Sequence, residues 1–360
     1  MRYDNIITDF FFFFKPLKGE NLQKSCLQGK ISANPDIHLT EKGKTCYNIV
    51  MKDVLQAKTT YFSVSTDSTS DLRVSYAKER GIFLAPLTFT LEKGEVLTEH
   101  LDSYDSDEEL TAFYCKLSEG WMPRTAKLNY ESHLAHFRAM GEAGVQDALH
   151  FTISSGLANT VELARKAAQE VRAEYPNLNI YPVDCLTATG GQGFLVKLAA
   201  DCRDRGMDFA TTIAYIEEAK HRIQHCIIPS DLFYLKKGGR VSTVEAVIGS
   251  VLGVKPMLAF DPEGKLTVVE KNKGMKKSFA RVLEHMKLAP LSQEERVIVV
   301  HTNNPDGANE LAKLIKKQVG IEPTIQQMGT VIGAHVGPGS VSCGWFSTKT
   351  RAELLQLLSK

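Results

Sequence analysis

"DALHFTISSGLANTVELARKAAQEV", residues 147–171, decides the fold. It reads as a strand, a Ser/Ser/Gly turn and then a helix. The same grammar occurs twice more. "TTYFSVSTDSTSDLRVSYAKERG" (59–81) gives a short strand over 61–64, then Thr66, Asp67 and Ser68, then a helix closing at Gly81. Ser, Thr and Asp just past a strand are good helix caps. "NIYPVDCLTATGGQGFLVKLAADCRDRG" (179–206) is the third copy. Strand, polar turn and helix in succession predict a parallel sheet with crossover helices. Ligands of such sheets bind at the carboxyl ends of the strands. The turns at 65–69, 152–156 and 187–191 therefore predict one site built from sequence-distant pieces.

Between the first two copies, "IFLAPLTFTL" (82–91) is an apolar run whose Pro86 predicts an edge or irregular strand. "SDEELTAFYCKLSEG" (106–120) and "YESHLAHFRAMGEAG" (130–144) have helical spacing. The second half changes style. "CIIPSDLFYLKKGGRVSTVEAVIGSVLGVKPMLAF" (226–260) enters apolar segments that could be core or could line a cavity. "DPEG" (261–264) is a turn, "KLTVVEK" (265–271) alternates as a strand, and "RVIVVHTN" (296–303) is a strand before the helix "PDGANELAKLIKKQV". "TIQQMG" and "SVSCGWF" are short strands flanking "VIGAHVGPGS" (331–340). The expected fold is α/β with two domains: an N-terminal parallel sheet with crossover helices (59–225) and a smaller α+β domain with a mainly antiparallel sheet (226–360). Any ligand is expected at their junction. Residues 1–58, including the run Phe10–Phe14, are polar and mixed without sustained periodicity, and read as a poorly ordered N-terminal extension.

The chain has 360 residues, 43% of them hydrophobic and 24% charged, as in soluble globular proteins. Its formal net charge of +1 gives no overall field for nucleic acid or an anionic membrane. No apolar run is long enough to span a bilayer. Seven cysteines include no CxxC pair, which argues against a zinc site or a disulfide framework and for buried thiols in a cytoplasmic protein.

Glycines and one imidazole in "VIGAHVGPGS" predict a tight loop that holds His335 beside something bound, although Gly-Pro-Gly is also plain turn chemistry. No GxGxxG, GxxxxGK[ST] or GxSxG motif is present. Ser154 or Ser155 with His335, oriented by Asp67 or Asp184, could form the nucleophile and base of a hydrolase. His133 with His136, and His221 with His225, have metal-pair spacing but no third ligand, so they read as solvated helix faces. "LKKGGR" is either a solvated loop or a turn that frees Arg240 to reach a carboxylate or phosphate.

"STDSTSDL" (65–72), "ISSGLANT" (153–160), "YLKKGGRVS" (234–242), "LGVKPML" (252–258) and "IGAHVGPG" (332–339) occur in order. Together they resemble the DegV family over about residues 60–350. That resemblance implies a fatty-acid-binding protein of the FakB type. Such a protein is a non-catalytic subunit that buries a long-chain fatty acid and presents its carboxylate to a separate ATP-dependent kinase, with no cofactor and no metal. It implies a carboxylate site of Thr125, Ser154, Ser155 and His335. The resemblance further places Asp67, Ser68, Gly333 and Gly337 at the pocket rim, and Arg240 and Lys273 in contact with the kinase. Transient membrane contact is compatible with such a role, and a carrier of another small amphiphile stands beside the hydrolase as an alternative reading. The chain departs from the family where Thr125-Ala126-Lys127-Leu128-Asn129 replaces TSQPS, Leu157-Ala158-Asn159-Thr160 replaces LSGT, and Lys273-Gly274 replaces RT.

Overall fold

A computed structural model describes residues 62–230, 232–239, 254–294 and 296–359. The expected extension at 1–58, Arg240 and most of the apolar stretch after it lie outside the described residues. In chain order the strands are β1 (Ser63–Asp67), β2 (Ile82–Ala85), β3 (Thr88–Lys93), β4 (Val96–Leu101), β5 (Met122–Ala126), β6 (Asp147–Thr152) and β7 (Asn179–Asp184). They continue with β8 (Ile223–Ile228), β9 (Val254–Phe260), β10 (Leu266–Lys273), β11 (Val297–His301), β12 (Thr324–Gln327) and β13 (Val341–Phe346).

The N-terminal sheet has the order β2-β1-β6-β7, and every pair in it is parallel. Of its strands only β2 (IFLA) is a continuous apolar run; β1 and β6 are buried along nearly their whole length although they carry Ser65, Thr66, Asp67, His150 and Thr152. The second sheet has the order β10-β9-β8-β13-β11-β12 and is antiparallel except for β11 with β12. This is the expected α/β architecture: a parallel-sheet domain followed by a mainly antiparallel one. One apolar cluster joins the two sheets: Val64, Leu149 and Phe151 share it with Phe194, Ile298, Val300 and Phe346. A second cluster, around Phe279, Val299 and the fully buried Trp345, lies on the second sheet. Trp345 donates its indole N–H to the Ala289 carbonyl at 2.8 Å, so its burial leaves no orphaned donor.

Four expectations need correction. Residues 82–91 form two strands rather than one. Pro86, which has no N–H to donate, separates β2 of the parallel sheet from β3 of a third, three-stranded antiparallel sheet ordered β4-β3-β5. "VIGAHV" is not a loop: Thr330–Val336 is helical, and the turn begins only at Gly337, with φ +76°. Three of the four histidines are not solvated helix faces, whereas His221 is exposed on the short helix Lys220–Arg222. His133 and His136 are buried on the helix Tyr130–Glu142, and His225 is buried within β8. Finally, Cys115 is exposed, while Cys185, Cys202, Cys226 and Cys343 are buried as expected.

Candidate functional site

The polar turns at the carboxyl ends of β1, β6 and β7 meet. Asp67, fully buried, accepts the Ile153 amide at 3.0 Å, the Gln192 side-chain amide at 2.8 Å and the Thr69 amide at 3.1 Å. Burial raises its carboxyl above the ordinary value, and these donors pull it partly back. The Ser154 amide donates to the Thr187 carbonyl at 2.9 Å, and the Ser155 amide donates to Asp184 Oδ1 at 3.0 Å. Sheet topology thus brings the three turns to one rim, as their spacing predicts.

The second domain closes on that rim. Ser154 Oγ is buried and donates to the Gly264 carbonyl at 2.7 Å. A Cβ on Gly156 would stand 2.4 Å from the Gly264 oxygen, so the ISSG and DPEG turns touch backbone to backbone. Arg351 is buried and donates to the carbonyls of Ile223, Leu186 and Lys220, each at 2.8 Å, tying the turn after β7 to the edge of β8. Desolvation pushes its guanidinium down to about 10. Gly156→Ala is expected to force the two turns apart and destabilise the protein by about 1–3 kcal/mol, as overpacking does. Urea denaturation of the variant checks this, and an unchanged midpoint would show that the contact gives way freely.

His335 lies in the last turn of the helix Thr330–Val336 and is half-buried. Its Nε2 is 2.8 Å from Thr125 Oγ1 on β5. Gly238, at the end of the short helix Phe233–Lys237, lies against the same ring, since a Cβ there would stand 2.3 Å from His335 Nδ1. The imidazole is therefore placed between the three-stranded sheet and the end of the helix Phe233–Lys237. The close approach of the helix depends on Gly333 and Gly337. A Cβ on Gly333 would stand 2.2 Å from Tyr114 Oη, and one on Gly337 would stand 2.2 Å from the Tyr234 ring. Beside them lies an apolar cluster drawn from both domains: Ile153, Ala188 and Phe260, with Leu157, Ile227 and Ile332 packed on it.

Of the residues expected at the carboxylate site, the structure joins Thr125 to His335. It gives Ser154 to the Gly264 carbonyl and leaves the Ser155 side chain exposed. Neither serine hydrogen-bonds His335, so the nucleophile–base pair of a hydrolase is not formed. Ser68 is buried and donates to Asp102 Oδ2 at 2.7 Å. Lys273 is exposed at the end of β10. Sequence reasoning missed Asp102, Thr330, Gly238 and Arg351. Gly238 alone carried a signal, the glycine pair beside Arg240. Among the described residues no group of His, Cys, Asp and Glu could hold a metal ion, and no helix is long and apolar enough to cross a membrane. Two surface cavities, of about 310 and 410 Å³, lie at the β3–β4 hairpin and beside Leu283 and Pro290, and neither includes His335.

Residues 61–348 match a family described as "Uncharacterised protein, DegV family". A DegV domain-containing protein of Clostridium perfringens is 32% identical over 283 residues, covering 78% of this chain and 96% of that protein. Among solved structures, a fatty-acid-binding DegV family protein of Streptococcus agalactiae superposes with a TM-score of 0.67 at 27% identity, over 80% of this chain and 99% of its own. A Thermotoga maritima protein whose structure reveals a fatty acid binding function superposes with a TM-score of 0.68 at 26% identity, over 80% of this chain and all of its own. With the family match running over residues 61–348 and a relative 32% identical over nearly its whole length, the chain belongs to the DegV family.

Proposed function

We propose that the protein is a cytoplasmic fatty-acid carrier. It buries an acyl chain at the junction of residues 59–225 with 226–360 and presents the carboxylate to a separate ATP-dependent kinase. The observation that carries this reading is the Thr125–His335 pair, two polar groups 2.8 Å apart beside an apolar cluster drawn from both domains. A carboxylate that displaces the bond between them can accept from the Thr125 hydroxyl and from His335 Nε2–H, one oxygen each. The fatty acid binding named for the Streptococcus and Thermotoga relatives supports the same reading.

The energetics suit a carrier. Burying about 15 methylenes at about 0.8 kcal/mol each supplies roughly 12 kcal/mol gross. Association takes back roughly 4–15 kcal/mol. The chain thus dominates retention, and the polar pair mainly fixes where the carboxylate points. In the coupled reaction a carboxylate oxygen attacks the γ-phosphorus of ATP. The P–O bond to ADP breaks, and acyl phosphate and ADP leave. The kinase supplies the nucleotide site, while this chain orients the nucleophile and keeps the acyl tail from water. Exposed Lys273, together with Arg240, is assigned to the kinase-facing side on family resemblance.

Native mass spectrometry of the purified protein, followed by solvent extraction, tests the carrier reading. About one long-chain fatty acid per chain is expected. A protein that carries none and takes up none when offered would sink it.

A further inference from the structure

The helix that carries His335 begins on a buried carboxylate. Asp102 follows β4 and is 1% exposed. Its Oδ1 accepts the Thr330 amide at 3.2 Å and the Thr330 hydroxyl at 2.5 Å. Its Oδ2 accepts Ser68 Oγ–H at 2.7 Å, and Ser68 Oγ in turn accepts the Leu87 amide at 3.0 Å. One carboxylate therefore ties the turn after β1, the start of β3 and the first residue of the helix Thr330–Val336. His335 stands five residues on, about 7.5 Å along the axis at 1.5 Å per residue. A helix this short moves as one piece, so its start fixes its end.

We propose that Asp102 is a positioning residue of the carboxylate site: by anchoring Thr330 it sets where His335 stands against Thr125. This rests on the carrier reading only for its effect on fatty acid. The anchor is also conditional on pH. The ionisable groups around it are Asp71, Tyr104 and Tyr114, and Arg73 acts on Asp71 and Tyr104. Asp71 is buried beside it with Oδ2 unpartnered, and its Oδ1 accepts Tyr104 Oη–H at 3.3 Å. Arg73, the nearby cation, is paired with Asp107. Two buried carboxyls close together do not both ionise readily. Burial first, and then the Asp102 charge, raise the Asp71 carboxyl well above the ordinary value, against the Gly329 amide. Asp102, with its donors from Ser68 and Thr330, carries the charge, although burial pushes it up to about 6. Below that pH Asp102 gains a proton, the charge that strengthens its bonds from Ser68 and Thr330 is lost, and the hold on Thr330 weakens.

The test is a double-substitution cycle with [1-¹³C]oleate as the probe. Asp102→Asn is expected to weaken oleate binding about five-fold or more at about pH 7.5. The ratio of wild-type to variant affinity is expected to fall toward one at about pH 5.5, and ionisation of the probe itself cancels in that ratio. In the His335→Gln background, Asp102→Asn is expected to change affinity less than about two-fold, because coupled residues are not additive. A cost equal in both backgrounds, or a ratio that ignores pH, overturns the proposal, since a general loss of stability would behave that way. The ring ¹⁵N signals of His335 are compared in ligand-free wild type and Asp102→Asn at one pH. If they move while no protein takes up oleate, the positioning role stands and the carrier reading falls. If they do not move, the positioning role falls.

Discussion

Acyl phosphate formation is expected to fall about 100-fold when Thr125 and His335 are both replaced by alanine, because a misplacement of about 1 Å in a reacting group has that scale of effect. Retention of the fatty acid changes far less. Two head-group hydrogen bonds contribute about 1 kcal/mol each, against roughly 12 kcal/mol gross from the buried chain. Binding is therefore expected to weaken by no more than about thirty-fold. The two readouts separate on one preparation supplied with ATP, Mg²⁺ and a fatty acid kinase catalytic subunit, with fatty acid saturating. Loss of retention and transfer in equal measure would mean that the pair holds the ligand rather than aims it. Unchanged transfer would remove Thr125 and His335 from the site.

The second large effect concerns acid. His133 and His136, on the helix Tyr130–Glu142, are buried against His150 of β6, with ring centroids 5.3 Å apart for His133–His150 and 5.4 Å for His136–His150. Ser65 Oγ lies 2.7 Å from His136 Nε2 and 2.9 Å from His150 Nδ1. Both ring nitrogens of His133 lack a partner. Desolvation pushes His133 down to about 4 and His136 to about 3, and His150 falls well below its ordinary value. The sign follows. Below about pH 6.5 the unfolded chain takes up protons that the folded rings refuse, so stability is complete above that pH and is lost as pH falls toward the folded values. Each ring loses about 1.4 kcal/mol per pH unit in that window. Buried Asp67, Asp71 and Asp102 are shifted upward and work in the opposite direction, so a difference measurement is cleaner than an absolute one.

His133→Leu is the informative change, since removing a ring with no hydrogen bonds orphans nothing. Relative to the gap between the two proteins at about pH 7.5, the variant is expected to gain about 2 kcal/mol on wild type at about pH 5, measured by urea denaturation. A gap that does not widen with acid would show that the ring takes up its proton in the folded state.

These residues also show what the sequence discloses. The turns at Asp67, Ser154 and Thr187 were legible because short polar residues directly after β-prone strands mark the carboxyl rim of a parallel sheet. The His335 helix was misread because its glycines look like turn residues. Gly333 serves instead to admit Tyr114, a contact no local pattern encodes. The buried histidines were within reach: His133 and His136 share a helix face with Phe137 and Met140, which marks that face as core. Asp102 was not within reach, because its partner Thr330 is 228 residues away and only the tertiary fold joins them. Likewise β4 and β5 hold together through β3, and neither has the composition of a strand that stands alone.

The helix Thr330–Val336 lies between β12 and β13 of the second sheet, yet Asp102, Tyr114 and Thr125, all from the first half of the chain, touch or anchor it. Each half of the gene therefore encodes only part of the proposed carboxylate site. A fragment ending before β8 would keep Thr125 without His335, and the complementary fragment would keep His335 with nothing to set its place. In a shuffled lineage a crossover near residue 222 is expected to yield a working chimera only when both parents agree at positions 102, 125, 330 and 335, so the two halves should be inherited as a unit.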